Sequence, residues 1–108
     1  MKWLFYYSTV EPAERGEIRT SGVSHDLQEV YEREICSGGY VNFVWLEVRG
    51  KTYKEKKDYL RWLAVWIHCL ESEVGTLSMG EWAELESFFR MEARRLGLVH
   101  EFEENGII

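Results

Sequence analysis

Proline occurs once in this chain, at Pro12, cysteine twice, at Cys36 and Cys69, and histidine three times, at His25, His68 and His100. Each scarcity excludes something. Two cysteines in separate predicted helices, both beside apolar residues, make no disulfide framework and are expected as buried free thiols. The spacings C-x-x-C, H-x-x-x-H and H-E-x-x-H are absent, so a zinc site is not expected. His68 adjoins Cys69, but neighbours on a helix diverge by about 100° and do not share one metal. The glycines of "CSGGY" (36–40) follow a helical pattern instead of preceding one, so they stop a helix and cradle no phosphate. No apolar run reaches the roughly 18 residues of a membrane span. Met1-Lys2 leads straight into strand-like residues with no small-residue cleavage site, so a signal peptide is not expected and a cytoplasmic location is. Carboxylates are plentiful, but no apolar setting singles one out for acid–base work. Glu47, beside Trp45, comes closest, and a strand-end position explains it as well. No cofactor is implied, and no enzyme.

Basic residues are in deficit: 13 against 19 acidic, for a net charge of −6. Residues 1–50 carry −3, residues 51–75 carry +1 and residues 76–108 carry −4. Such a balance steers a chain away from nucleic acid and towards basic surfaces. Aromatics, in contrast, are abundant at 15% within an apolar fraction of 45%. That composition is too hydrophobic for disorder, and the aromatic excess suits a partner surface. The length, 108 residues, fits a single domain able to bury about 65% of its unfolded surface.

Along the chain, "KWLFYYSTV" (2–10) reads as a strand with two apolar faces. Trp3, Phe5, Tyr7 and Thr9 point one way; Leu4, Tyr6 and Val10 point the other. "EPAERG" (11–16) is a turn, and "EIRTSGV" (17–23) is a second, more polar strand suited to a sheet edge. "SHDLQEVYEREICSGG" is a helix with Ser24 placed to cap it and Gly38-Gly39 to end it. Its apolar stripe is Leu27, Val30, Tyr31 and Ile35. "YVNFVWLEV" (40–48) is a third strand, with Val41, Phe43 and Trp45 on one face and Val44, Leu46 and Val48 on the other. Two helices follow, over about 53–73 and 79–96. The second starts at the capping box Ser78-x-x-Glu81, ends at Gly97 and buries Trp82, Leu85, Phe89, Ala93 and Leu96. The tail, 97–108, reads as either a short strand or coil.

The order ββαβ-αα predicts an α+β fold. A single domain spans 1–108: a ββαβ unit over 1–48, two helices over 53–96, then the tail. A hairpin followed by a right-handed crossover places the third strand beside the first, giving a three-stranded antiparallel sheet of order 2-1-3. One face takes the Leu27 helix, and the other takes a C-terminal helical hairpin. Phe5, Phe43, Leu63 and Ile67 are the predicted core.

The stretch "YLRWLAVWIHCL" (59–70) carries two apolar stripes. Leu60, Leu63, Ala64, Ile67, Leu70 and Val74 form one, suited to the sheet. Tyr59, Trp62, Trp66 and Cys69 form a second. The second stripe either packs on the Trp82–Phe89 helix or serves as a partner surface, for which exposed tryptophans are typical anchors. Glu101, Glu103 and Glu104 make an acidic end that joins Trp62 and Trp66 as candidate partner-binding residues. The basic cluster Lys51, Lys54, Lys56, Lys57 and Arg61, interleaved with Tyr53 and Tyr59, is the candidate nucleic-acid contact, where rings stack on bases and cations meet phosphates. Glu55 and Asp58 interrupt it and the whole chain is acidic, so a solvated helix start is the better reading.

The pattern "KWLFYYSTV…GEIRTSGV…LQEVYEREI…YVNFVWLEV" over residues 1–48 resembles the compact ββαβ units of small orphan proteins of phages and mobile elements, among them some anti-CRISPR proteins. The resemblance rests on pattern and brings no functional residues with it. It implies a small cytoplasmic protein, in the host cytoplasm if phage-encoded, that binds a larger protein or ribonucleoprotein complex and blocks it. The expected function is therefore a non-enzymatic protein-binding inhibitor or modulator, with a second copy of the chain as a further partner. The alternative is a small nucleic-acid-binding regulator using residues 49–62.

Overall fold

The computed structural model describes residues 2–12 and 17–108. Its elements are β1 (Leu4–Thr9), β2 (Ile18–Ser24), α1 (Leu27–Cys36), β3 (Tyr40–Trp45), α2 (Tyr53–Val74), α3 (Met79–Leu96) and α4 (Val99–Glu104). The turn expected at 11–16 lies in part outside the described residues. The sheet is antiparallel throughout, in the order β2-β1-β3. β1 is central because both its faces are apolar, and all six of its residues are buried. The register pairs Phe5 with Val23 on one side and with Val44 on the other.

The two faces of β1 feed two cores. Leu4 and Tyr6 pack with Val30 of α1. Phe5 and Tyr7 pack with the inner faces of α2 and α3, where Leu60, Leu63, Ala64, Ile67, Leu85, Phe89 and Ala93 are fully buried. The C-terminal hairpin turns at Gly75, whose φ of 62° lies in the left-handed region. α3 begins at the predicted capping box: Ser78 Oγ accepts from Glu81 N at 3.2 Å, and Glu81 Oε1 accepts from Ser78 N at 2.9 Å. The tail is neither strand nor coil. It forms α4, which folds Phe102 back onto Phe89 with ring centroids 6.3 Å apart.

Five other expectations are corrected. Asp26, not Ser24, caps α1: its carboxylate accepts from Glu29 N at 3.1 Å, while Ser24 Oγ accepts from Asp26 N at 3.0 Å. At the end of α1, Glu34 is buried and Ile35 is 55% exposed. α1 sets Val30 against Leu4 and Tyr6 of β1 and also packs on β3, and Tyr31 lies towards Phe43 near the open edge. Phe43, beside that edge, is not core. It is 36% exposed and is met by the rings of Tyr31 at 6.4 Å and Trp45 at 5.8 Å. Both cysteines are exposed: Cys36 ends α1, and Cys69 lies on the side of α2 turned from α3. Finally, the Tyr59–Trp62–Trp66–Cys69 stripe does not meet α3. His68 takes that place, with its ring 5.5 Å from Trp82 and 6.1 Å from Phe89 and its Nδ1 paired with the Ala64 carbonyl at 2.8 Å.

Candidate partner-binding surface

The two sheet edges are treated differently. Residues Leu4, Tyr6 and Ser8 exchange hydrogen bonds with β2, which leaves the main-chain groups of Ser21 and Val23 pointing outward. Both outward donors are taken up by side chains from the helical hairpin. Ser21 N donates to Thr76 Oγ1 at 2.9 Å, and Val23 N donates to Glu81 Oε2 at 2.7 Å. Thr76 Oγ1 also donates back to the Ser21 carbonyl at 3.3 Å, and the Ser21 hydroxyl donates to the buried Glu71 carboxylate. The β2 edge is thus closed to another strand.

The β3 edge is open. Leu46 N donates to the Trp3 carbonyl at 2.8 Å, which sets the phase of the ladder. Tyr40, Asn42 and Val44 bond to β1, and Val41, Phe43 and Trp45 turn their main-chain groups outward. Among the described residues nothing bonds the outward N–H groups of Val41 and Phe43. The strand "YVNFVW" holds no charge and no proline, the usual means of blunting an edge. Charge appears only past its end, where Glu47 is held by Lys2 at 2.7 Å and Arg49 at 3.0 Å. The hydrogen bond from Lys2, followed by that from Arg49, keeps the Glu47 carboxyl below its ordinary pKa.

Beside this edge lies a groove. α2 and α3 both pack towards β2, so the β3 half of that sheet face is left uncovered. The resulting hollow of about 1180 Å³ has Tyr7, Asn42 and Val44 as floor and Trp62, Trp66 and Leu70 as wall. Trp66 is seated: its ring meets Phe5 at 5.9 Å and Tyr7 at 5.8 Å, both edge-on. Trp62 stacks on Trp66 at 5.7 Å and 17°, with Tyr59 on its other side at 5.6 Å, and is 51% exposed. Burial raises the Tyr59 phenol above its ordinary pKa, so it stays neutral in this stack. Among the described residues the only charged ones lining the groove are Glu17 and Glu73, both acidic.

The other sequence candidates lie elsewhere. Glu101 is tied to Arg61 by paired hydrogen bonds of 2.8 and 3.1 Å, so it docks α4 on α2. Those bonds lower the Glu101 pKa and raise that of Arg61. Glu104 pairs with His100 at 2.9 Å, and Glu103 is exposed. Arg61 and Glu101 line a separate hollow on the α4 side of α2, so the structure does not bring the α4 carboxylates together with Trp62 and Trp66. The basic segment is broken up by ion pairing. Lys54 bonds Asp58 at 2.8 Å, Arg61 bonds Asp58 and Glu101, and Lys57 lies over the Tyr53 ring at 4.8 Å. Lys51 and Lys56 remain exposed without a carboxylate partner among the described residues, too few to track a phosphate backbone.

Sequence reasoning missed Tyr7, Asn42 and Val44 as groove floor, and the second role of Glu81. The S-x-x-E pattern flags its cap, but no local signal marks its bond to β2. Among the described residues no group of three His, Cys, Asp or Glu side chains is placed to hold a metal, and no helix is long and apolar enough to cross a membrane. Comparison with family models, with curated proteins and with solved structures found no match to this chain.

Proposed function

We propose that this chain is a non-enzymatic protein-binding module, a modulator or inhibitor that docks a partner protein into the α2/β3 groove. The observation that carries the reading is the half-exposed Trp62, held by stacking on the seated Trp66, above a floor of Tyr7, Asn42 and Val44 whose only charged neighbours among the described residues are Glu17 and Glu73. A fixed aromatic beside an uncovered apolar floor is the usual anchor of a protein interface. Two carboxylates with no cation between them among the described residues select a partner segment that presents apolar side chains next to a lysine or arginine.

The test is selection from a displayed peptide library, followed by titration of the enriched peptides. The reading expects apolar sequences carrying a basic residue, with binding abolished by Trp62→Glu and weakened by Glu73→Lys. Enriched peptides that bind Trp62→Glu as well as the parent would sink it.

A further inference from the structure

We propose that two copies of this chain join β3 to β3 about a two-fold axis at Phe43, and that the dimer fuses their two α2/β3 grooves into one trough. The first observation is the phase of the open edge. Val41, Phe43 and Trp45 carry the outward main-chain groups. An antiparallel pairing centred on Phe43 sets Phe43 opposite Phe43 of the second copy and Val41 opposite Trp45 of the second copy. Every outward donor then meets an outward acceptor, with the Trp45 carbonyl, which already accepts from Glu47 N at 3.0 Å, taking the Val41 N–H of the second copy on its other lone pair. The side chains on the α1 face match as well, because each cross-strand pair is apolar or aromatic.

The second observation is charge. Two chains of net charge −6 repel one another, so a self-contact must be uncharged where it closes. Of the two edge strands described, β3 alone lacks an ionisable acid or base other than tyrosine: β2 contains Arg19, and the central β1, LFYYST, is uncharged but already paired on both sides. The third is the cover left unfinished over Phe43. Ile35 is 55% exposed and Phe43 36%, both on the side of α1 that faces the open edge. A lone peptide strand would satisfy the edge but bring no second layer over Phe43. A second copy brings its own α1, with Tyr31 and Ile35, to close that layer from the other side.

On the opposite face the pairing sets Asn42 against Val44 of the second copy and continues the groove floor across the axis. The two three-stranded sheets become one floor, with α2 of each copy, and its Trp62 and Trp66, as facing walls. The trough rests on the groove reading above; the dimer does not.

Sedimentation equilibrium of the parent and of two variants, without any ligand, tests the dimer. Phe43 N–H points away from β1, so Phe43→Pro removes no hydrogen bond within the chain and is tolerated at a strand edge; Phe43→Lys puts a charge at the axis. The expected result is a parent of twice 12.8 kDa and variants at half that mass that still unfold cooperatively, with melts matching the parent's when it is diluted to monomer. Val41 and Phe43 amides should exchange slowly in the parent, and faster on dilution. A monomeric parent at about 100 μM, well above the range of a specific dimer, overturns the proposal, as does a Phe43→Lys that remains dimeric. A parent that is monomeric yet binds the selected peptides sinks the dimer alone; a dimer that binds none sinks the groove reading alone.

Discussion

Glu81 bonds two parts of the chain at once: Oε1 accepts the Ser78 N–H at 2.9 Å within the α3 cap, and Oε2 accepts the Val23 N–H at 2.7 Å on the outer edge of β2. One side chain both starts the last long helix and seals one side of the sheet. Glu81→Ala therefore loses a cap, worth about 1 kcal/mol, and leaves an edge donor without its charged acceptor, worth about 1.5–3 kcal/mol. Urea unfolding should show a loss of about 2–4 kcal/mol. Ser78→Ala, which removes the cap alone, should cost about 1 kcal/mol. Equal losses for the two variants would show that the bond to β2 contributes nothing.

Gly22 lies beneath the same carboxylate. A Cβ there would come within 2.5 Å of Tyr6 Oη and 2.7 Å of Glu81 Oε2. Neither neighbour moves without cost. The Tyr6 hydroxyl accepts a hydrogen bond from Arg33, and burial raises its pKa despite that cation. Gly22→Ala should destabilise by about 1–3 kcal/mol through overpacking. A melt within a degree of the parent would show that the contact relaxes freely.

Leu63 is fully buried where α2 meets the sheet and α3. Leu63→Ala should cost about 2–5 kcal/mol, read from denaturant unfolding. A cost below about 1 kcal/mol would mean that the inner face of α2 lies elsewhere.

The sheet order, the central place of β1 and the limits of α3 were legible because the signals are local and strict. β1 alternates apolar residues on both faces, and α3 runs from Ser78-x-x-Glu81 to Gly97. Alternation tells which face a residue takes, not how fully the layer above covers it, so Phe43 reads as core although the Tyr31 ring of α1 leaves it 36% exposed. A helical wheel likewise separates two stripes on α2 without saying which one meets α3. His68, too polar to be counted in either stripe, fills the space between Trp82 and Phe89. Val99 and Phe102 read as an alternating pair in a tail, yet a spacing of three is equally helical, and contact with Phe89 decides for α4. The closed β2 edge depends on residues more than 50 positions apart, which no local pattern records. Of the site residues, Trp62 and Trp66 were visible as an excess of aromatics; their groove was not, because it is made by where α2 does not lie.

The Arg61–Glu101 tie predicts a pH dependence. Hydrogen bonds from Arg61 lower the Glu101 pKa in the folded chain. A carboxylate with a depressed folded pKa contributes stability above its unfolded pKa, and that contribution is lost as pH falls through the folded value. Glu101→Gln should therefore melt below the parent at pH 7, and the difference should vanish under acid conditions where Glu101 itself is protonated. Both partners are substantially exposed, so the effect is small and added salt reduces it. A gap between the two melts that persists unchanged into strong acid would show that Glu101 acts by packing instead of charge.

Trp62 and Trp66 stack on one another but answer to different neighbours, and glutamate at each position separates the two roles. Trp66 fills the space against Phe5 and Tyr7, two buried residues of the central strand. A carboxylate there replaces an aromatic seat on the core with a charge set against the rings of Phe5 and Tyr7. Trp66→Glu should cost about 3 kcal/mol or more, a large share of the stability of a domain this small. Trp62 is 51% exposed, and among the described residues its ring contacts are the stack on Trp66 and Tyr59. An exposed ring pair is worth about 1 kcal/mol, so Trp62→Glu should fold, melt a few degrees below the parent and lose partner binding. Circular dichroism melts of the two variants decide it. If Trp62→Glu unfolds as readily as Trp66→Glu, the ladder is structural along its whole length and the groove has no anchor to offer. If both melt like the parent, Trp66 is not seated on the sheet.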